Sequence, residues 1–316
     1  MRRFGRFHLC VILGGALASP SLSSQEPTTL KVETHLISTT FTVHDAKGNV
    51  VSNLQQEQFT IKEDGAQQKV RYFARERELP LSIGLIVDVS GSQDKFVKEH
   101  EKEIEAFLKE VVEPRDEAFT VCFGNHLRLV NDWTSSPNLI LDNLRRFRKG
   151  DRDFPEIGPK EDRDLGTALY DAVYFSIMEK LAAQHNRRKV LLIFSDGEEN
   201  SSEYDLLDAI GAAQNNDVLV YAIRTTNASA HRMNARNRYG MRALDHLAES
   251  TGGRTFDART TNVRADFVAI AEELRALFEI GYYSNNRNID GKFRKVEIGT
   301  NEENLTVRAR GGYYAR

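Results

Sequence analysis

The chain has 316 residues, 40% of them hydrophobic and 28% charged, with a formal net charge of −3. That length supports one large core or two domains. The nearly neutral balance gives no electrostatic reason to expect nucleic acid or an anionic membrane as partner.

Residues 1–24 read as a secretory signal. Arg2, Arg3 and Arg6 precede the apolar run Leu9-Cys10-Val11-Ile12-Leu13-Gly14-Gly15-Ala16-Leu17-Ala18, and Ser/Pro-rich residues lead on to Gln25. The run is too short to span a bilayer, and no later stretch approaches that length. Cys10 stands ahead of most of the run, whereas a lipoprotein cysteine belongs just after one. The expectation is a secreted or periplasmic protein without a lipid anchor or, after cleavage, any integral membrane segment; an uncleaved N-terminal anchor is the alternative. Only Cys122 then remains, in an apolar strand-like stretch, so a disulfide within the chain is not expected. A buried thiol is the expected state.

Residues 28–79 form an N-terminal β segment. Positions 32–43 are rich in β-branched residues, and Asp45-Ala46-Lys47-Gly48-Asn49 follows as a turn. Stretches 58–62 and 69–73 flank Glu63-Asp64-Gly65 as a hairpin, and Arg75-Glu76-Arg77-Glu78 makes a polar linker before Pro80. From 80 to 278 strands alternate with helices. The strands are 81–88, 118–123, 189–195, 218–224 and a short one near 254–256, with 127–133 as an antiparallel edge strand after Gly124-Asn125. Phe96, Ile104, Phe107, Leu108 and Val111 recur at helical spacing, as do Leu169, Val173, Ile177 and Leu181, and mark the core faces of two helices. Such alternation predicts an α/β fold with a doubly wound, mainly parallel sheet. Residues 279–316 return to β, with strands expected at 278–283, 293–298 and 305–309. Neither β region has many strands, so both ends are expected to build one antiparallel sandwich-like unit around the inserted α/β region.

The first α/β strand ends in Asp88-Val89-Ser90-Gly91-Ser92, which places a carboxylate and two hydroxyls in one tight turn. Thr167 offers a hydroxyl where Gly166-Thr167-Ala168-Leu169 opens a helix, and Asp196 offers a second carboxylate after the buried run Val190-Leu191-Leu192-Ile193-Phe194. These hard oxygen donors suit Mg²⁺, with Ca²⁺ or Mn²⁺ also acceptable, rather than zinc or copper. In a doubly wound sheet, ligands bind beyond the carboxyl ends of strands where the connections switch direction. Asp88 and Asp196 are expected to end neighbouring strands there, with the Thr167 loop beside them. Their mutual repulsion is relieved by a divalent cation. Segments 151–166 and 225–240, the latter carrying Arg232, Arg236, Arg238 and Tyr239, are two long loops on the same face that either select the partner or are simply solvated. Glu198, Glu199 and Asn200 read as first-turn helix residues, with tuning of the metal as the alternative.

Asp88, Ser90, Ser92, Thr167 and Asp196, in this order and in these contexts, resemble the metal-ion-dependent adhesion site of von Willebrand factor type A domains. The flanking runs Phe59-Thr60-Ile61-Lys62-Glu63-Asp64-Gly65, Leu274-Arg275, Ile280-Gly281-Tyr282-Tyr283 and Arg308-Ala309-Arg310-Gly311-Gly312-Tyr313 are similar to exported VWFA-related proteins common in acidobacteria. The resemblance implies a Rossmann-like fold in which the hydroxyls contact the metal directly and the aspartates act largely through water. It also implies an open coordination position, completed by an acidic side chain of a protein partner in cell adhesion or another protein–protein interaction. An enzyme is not expected. A haloacid-dehalogenase-like phosphatase needs an acid where Ser90 stands, a hydrolase elbow needs Gly-x-Ser-x-Gly where Asp88 and Ser92 flank Ser90, and no His-Glu-x-x-His or paired-cysteine motif occurs. The alternatives are a structural component of an envelope assembly with a stapling metal, and a Mg²⁺-dependent hydrolase.

Overall fold

In a computed structural model, residues 36–76, 79–90, 101–124, 126–159, 166–224, 235–258 and 262–315 are described. The signal-like segment, Ser92, Phe96 and Arg232 therefore lie outside the described residues. The first elements among the described residues are β1 (Leu36–His44), β2 (Phe59–Glu63), β3 (Ala66–Gln68) and β4 (Val70–Glu76). Asp64 and Gly65 both have positive φ, 47° and 81°, the backbone of a two-residue type I′ turn whose twist matches the flanking strands. Because that turn closes the hairpin at once, the strand pairing with β2 is Ala66–Gln68 rather than the expected 69–73. β4 instead crosses to a second sheet, and its last residues, Arg75 and Glu76, are paired there rather than forming a linker.

The α/β region follows: β5 (Leu81–Asp88), α1 (Glu101–Val111), β6 (Glu117–Phe123), β7 (Leu127–Thr134), α2 (Pro137–Arg148) and α3 (Leu169–Phe175), the last running into a π-helical segment Ser176–Leu181. Then come β8 (Arg188–Ser195), α4 (Leu206–Asn215), β9 (Val218–Arg224), α5 (Ala235–Thr251), β10 (Thr255–Asp257) and α6 (Val263–Arg275). The sheet order is β10-β9-β8-β5-β6-β7, parallel except for β7 at the edge. Every residue of β5 is buried, the signature of a central parallel strand covered on both faces. One face packs on α1, α2 and α6 through Phe107, Leu141 and Phe267; the other packs on α3, α4 and α5 through Val173, Ala213 and Leu247.

Leu169, Val173, Ile177 and Leu181 are all buried, as expected, but not on one regular helix. A spacing of four residues, repeated three times, drifts around a 3.6-residue helix by about 40° per step. The wider i→i+5 turn, seen where Ala182 N–H donates to Ile177 O at 2.7 Å, keeps all four on the core side.

The C-terminal strands are β11 (Leu277–Tyr283), β12 (Phe293–Thr300), β13 (Thr306–Ala309) and the three-residue β14 (Gly312–Tyr314), which the sequence did not suggest as a strand. They interleave with the N-terminal ones in two four-stranded sheets, β13-β1-β11-β4 and β14-β12-β2-β3. The core between them is aromatic. Phe41 lies against Phe59 at 4.9 Å between centroids and against Phe278 at 5.3 Å. Among the described residues, no helix is long and apolar enough to cross a membrane.

Cys122 is buried in β6 beneath α2, and burial pushes its thiol far above the ordinary range. It should therefore resist alkylation by iodoacetamide in the folded protein and react within minutes in denaturant, as read by intact mass. Modification of the native state at the rate of a free thiol would show that β6 is exposed in solution.

Candidate functional site

Asp88 is the last residue of the central strand, and its side chain reaches across to Ser195 at the end of β8. It is 1% exposed. Its Oδ2 accepts from Ser195 Oγ–H at 2.7 Å, and its Oδ1 accepts from Ser90 N–H at 3.0 Å. Ser195 is fixed in turn, because its Oγ accepts from Gly197 N–H at 2.9 Å. Asp196 follows directly, 4% exposed, with Oδ1 accepting from Glu198 N–H at 2.9 Å. Burial raises the Asp88 carboxyl to about 6; bonds from Ser195 and Ser90 work against that rise, and the nearby Asp196 charge adds to it. Among the described residues, no Lys, Arg or His pairs with Asp88.

Thr167 arrives from the far side. Ala168 N–H donates to Gly124 O at 3.1 Å, anchoring the segment to the end of β6. Thr167 N–H donates to Asn200 Oδ1 at 2.8 Å, and Asn200 N–H returns a bond to Thr167 O at 3.1 Å. Glu199 accepts from Tyr170 N–H at 3.1 Å, and Asp171 accepts from Glu203 N–H and Tyr204 N–H. Asp88 and Asp196 are thus buried at the carboxyl ends of β5 and β8, while Ser90 and Thr167 line one cleft with Asn200. Ser92 lies outside the described residues.

Two expectations about the surroundings are corrected. Glu198, Glu199 and Asn200 are not in a first helical turn: they lie in the irregular segment before α4, and Glu199 serves the N-terminus of α3 instead. Residues 235–240, expected as loop, are the first turns of α5, so Arg238 and Tyr239 are helical. Gly240 explains why the sequence looks loop-like there. A Cβ on it would stand 2.5 Å from Gly197 O and 3.1 Å from Asp196 O, so α5 touches the Asp196 turn backbone to backbone. Ala has the better helix propensity by about 1 kcal/mol, but a contact that short against backbone costs about 1–3 kcal/mol. Gly240→Ala should therefore lower thermal stability and weaken any cation binding that uses Asp196. A variant more stable than the parent would mean that α5 shifts without moving that turn.

Sequence reasoning did not single out Ser195 or assign Asn200 its role. The signal for Ser195 was its place directly before Asp196 on a strand beside β5.

The donors fit a hard divalent cation. They are carboxylate and hydroxyl oxygens around a buried carboxylate that lacks a basic partner among the described residues. Among the same residues, no group of three or more His, Cys, Asp or Glu is arranged to hold a metal. Beside Ser90 and Thr167 opens a cleft of about 660 Å³, with Gly124, His126, Arg128 and Arg152 on its other walls.

The family model described as von Willebrand factor type A domain matches residues 82–265. Comparison of the sequence with curated proteins gives no match. Among solved structures, the chain resembles a von Willebrand factor type A protein from Catenulispora acidiphila, with 10% identity, 89% of this chain and 73% of that one covered, and a TM-score of 0.45. It also resembles an aerotolerance-related membrane protein from Bacteroides fragilis, with 15% identity, 61% and 98% covered, and a TM-score of 0.43. A third likeness is to the PilB minor pilin from Streptococcus sanguinis, with 14% identity, 64% and 62% covered, and a TM-score of 0.43.

Proposed function

Because the chain belongs to the von Willebrand factor type A domain family, whose members often mediate protein–protein interaction, we propose that it is an exported, metal-dependent protein-binding module. Asp88, Ser90, Ser92, Thr167 and Asp196 hold the ion, with Mg²⁺ preferred over Ca²⁺ or Mn²⁺. The bound cation supplies an open coordination position for an acidic side chain of a protein partner. Export rests on the signature of residues 1–24.

The supporting observation is Asp88: a carboxylate 1% exposed, adjacent to a second acid and raised to about 6 by burial. Left without a cation at neutral pH, such a group is a cost to the fold. Ser195 and the Ser90 backbone orient it, while Asn200 and Glu199 hold the Thr167 segment against the Asp196 turn. Those bonds join the loops directly, which favours a clasp for a partner over an ion that staples the loops. The reading needs no general base and assigns none.

Calorimetric titration of Mg²⁺, Ca²⁺ and Mn²⁺ into metal-stripped protein, beside an Asp88→Ala/Asp196→Ala variant, tests the site. One-site saturable binding by the parent, abolished in the variant, is the expected outcome. Absence of binding to a folded parent overturns metal dependence.

A further inference from the structure

Arg152 is the side chain that the metal clasp leaves unexplained. Its guanidinium lies 4.2 Å from the centroid of the Phe147 ring and donates to Phe147 O and to Asp151 O, the latter at 3.1 Å. Stacking and backbone bonds hold the head in place at little conformational cost to a ligand. The neighbouring acids are engaged elsewhere: Asp151 pairs with Arg146 at 2.8 Å, and Glu156 pairs with Arg128 at 2.7 Å and His126 at 3.4 Å. Arg152 helps to hold the Asp151 carboxyl below its usual range, yet it has no ion pair of its own among the described residues, and it lines the same 660 Å³ cleft as Ser90 and Thr167.

Volume and charge together say what belongs there. The cleft is in the size range of small-ligand pockets, with room for more than one carboxylate. Two features along it would attract negative charge: a cation held beside Ser90 and Thr167, as proposed above, and the fixed fork of Arg152. We propose that the cleft takes an extended peptide segment of the partner bearing two acidic groups, one on the metal and the other on Arg152. This rests on the metal-dependent reading above and adds the partner's chemistry to it. A planar guanidinium binds carboxylate through two parallel N–H···O bonds, so it selects for a second Asp or Glu at the right spacing. A one-acid segment leaves Arg152 without its partner and gains only the metal contact.

The test uses the full chain loaded with Mg²⁺ and capped synthetic peptides, measured by fluorescence anisotropy. One peptide carries a single Asp in a glycine background; three others carry a second Asp next to it or separated by one or two glycines. At least one two-acid peptide should bind 10-fold or more tightly than the single-Asp peptide. That advantage should vanish in Arg152→Gln and survive in part in Arg152→Lys, with Mg²⁺ titration unchanged in both and any fall in melting temperature, from the lost Phe147 stacking and backbone bonds, leaving the protein folded at the assay temperature. Equal binding of all four peptides to the parent, or an advantage that persists in Arg152→Gln, overturns the second subsite while leaving the metal clasp standing. Failure of the parent to bind Mg²⁺ overturns the clasp and the subsite with it.

Discussion

Replacing Asp88 by Asn should make the metal-free protein more stable at neutral pH while lowering Mg²⁺ affinity on the order of 100-fold or more. The stability effect follows from the carboxyl's shift from 3.8 to about 6 on folding. A group whose pKa rises on folding favours the folded state while it is protonated. That contribution is complete below the unfolded pKa and is lost as the pH climbs through the folded one. The metal-free parent should thus lose stability between about pH 4 and pH 6, and by pH 7 the penalty reaches about 3 kcal/mol. Asn carries no charge at any of these pH values, so the variant should lack this slope. Saturating Mg²⁺ should restore the parent, by about 2.7 kcal/mol at a free concentration 100 times Kd, and leave the variant unchanged. Thermal melts from pH 4 to 8, with chelator and with Mg²⁺, read all three effects. Parallel pH profiles for parent and variant would mean that Asp88 is hydrated in solution, and the argument for a cation would fall.

Glu273→Ala should destabilise the fold by about 3–5 kcal/mol without touching the candidate site. Glu273 sits on α6, 1% exposed, at the junction between the α/β region and the flanking sheets. Its carboxylate accepts from His44 of β1 at 3.1 Å, Tyr221 of β9 at 3.0 Å, Arg254 at 2.7 Å and Arg308 of β13 at 3.3 Å. Burial works to raise its pKa, but the His44 bond and the Arg254 and Arg308 charges outweigh it, and the group lies below the usual glutamate range. The pH sign is therefore opposite to that of Asp88. The stabilisation is present above the unfolded pKa and disappears as the pH falls through the folded one. Removing the carboxylate strands two guanidinium groups and a tyrosine hydroxyl at the junction, which costs more than the pair itself contributes. Glu273→Gln, which keeps the acceptor but not the charge, should fall between parent and Ala. Urea denaturation measures the loss, and Mg²⁺ titration checks the candidate site. A loss below about 1 kcal/mol would mean that the two arginines reach water once released.

The central strands were legible because burial on both faces writes a continuous apolar run, as in Ile83 to Val87, which no amphipathic helix produces. The candidate site was legible for a different reason. Asp88, Ser90, Thr167 and Asp196 each sit where a strand ends or a helix begins, and those places carry short-range signatures. Ser195 was not, because its partner Asp88 is 107 positions away, and neither was Asn200, 33 positions from Thr167. Such pairings exist only after the sheet has brought the segments together. The start of α5 was misread because glycine at position 240 argues against helix by propensity, whereas its cause is the backbone contact with Gly197. The π-helical turn after α3 is similar: a four-residue apolar spacing fits an α-helix well enough that only the packed core distinguishes the two.

The interleaving of strands from both ends governs the order in which this chain can acquire its structure. β1 pairs with β11 and β13, and Ser38 bonds to Glu279, 241 positions further on. During synthesis β1 and β4 have no native sheet to join until β11 has been made. Closing so long a loop is slow, unless an intervening element folds first and shortens the effective distance. The α/β region, built from near-neighbour crossovers, can do that and hold the two ends close together. Until then, the apolar faces that carry Phe41 and Phe59 stay uncovered, so closure of the sandwich is expected to come late and to leave the unfinished chain exposed to aggregation.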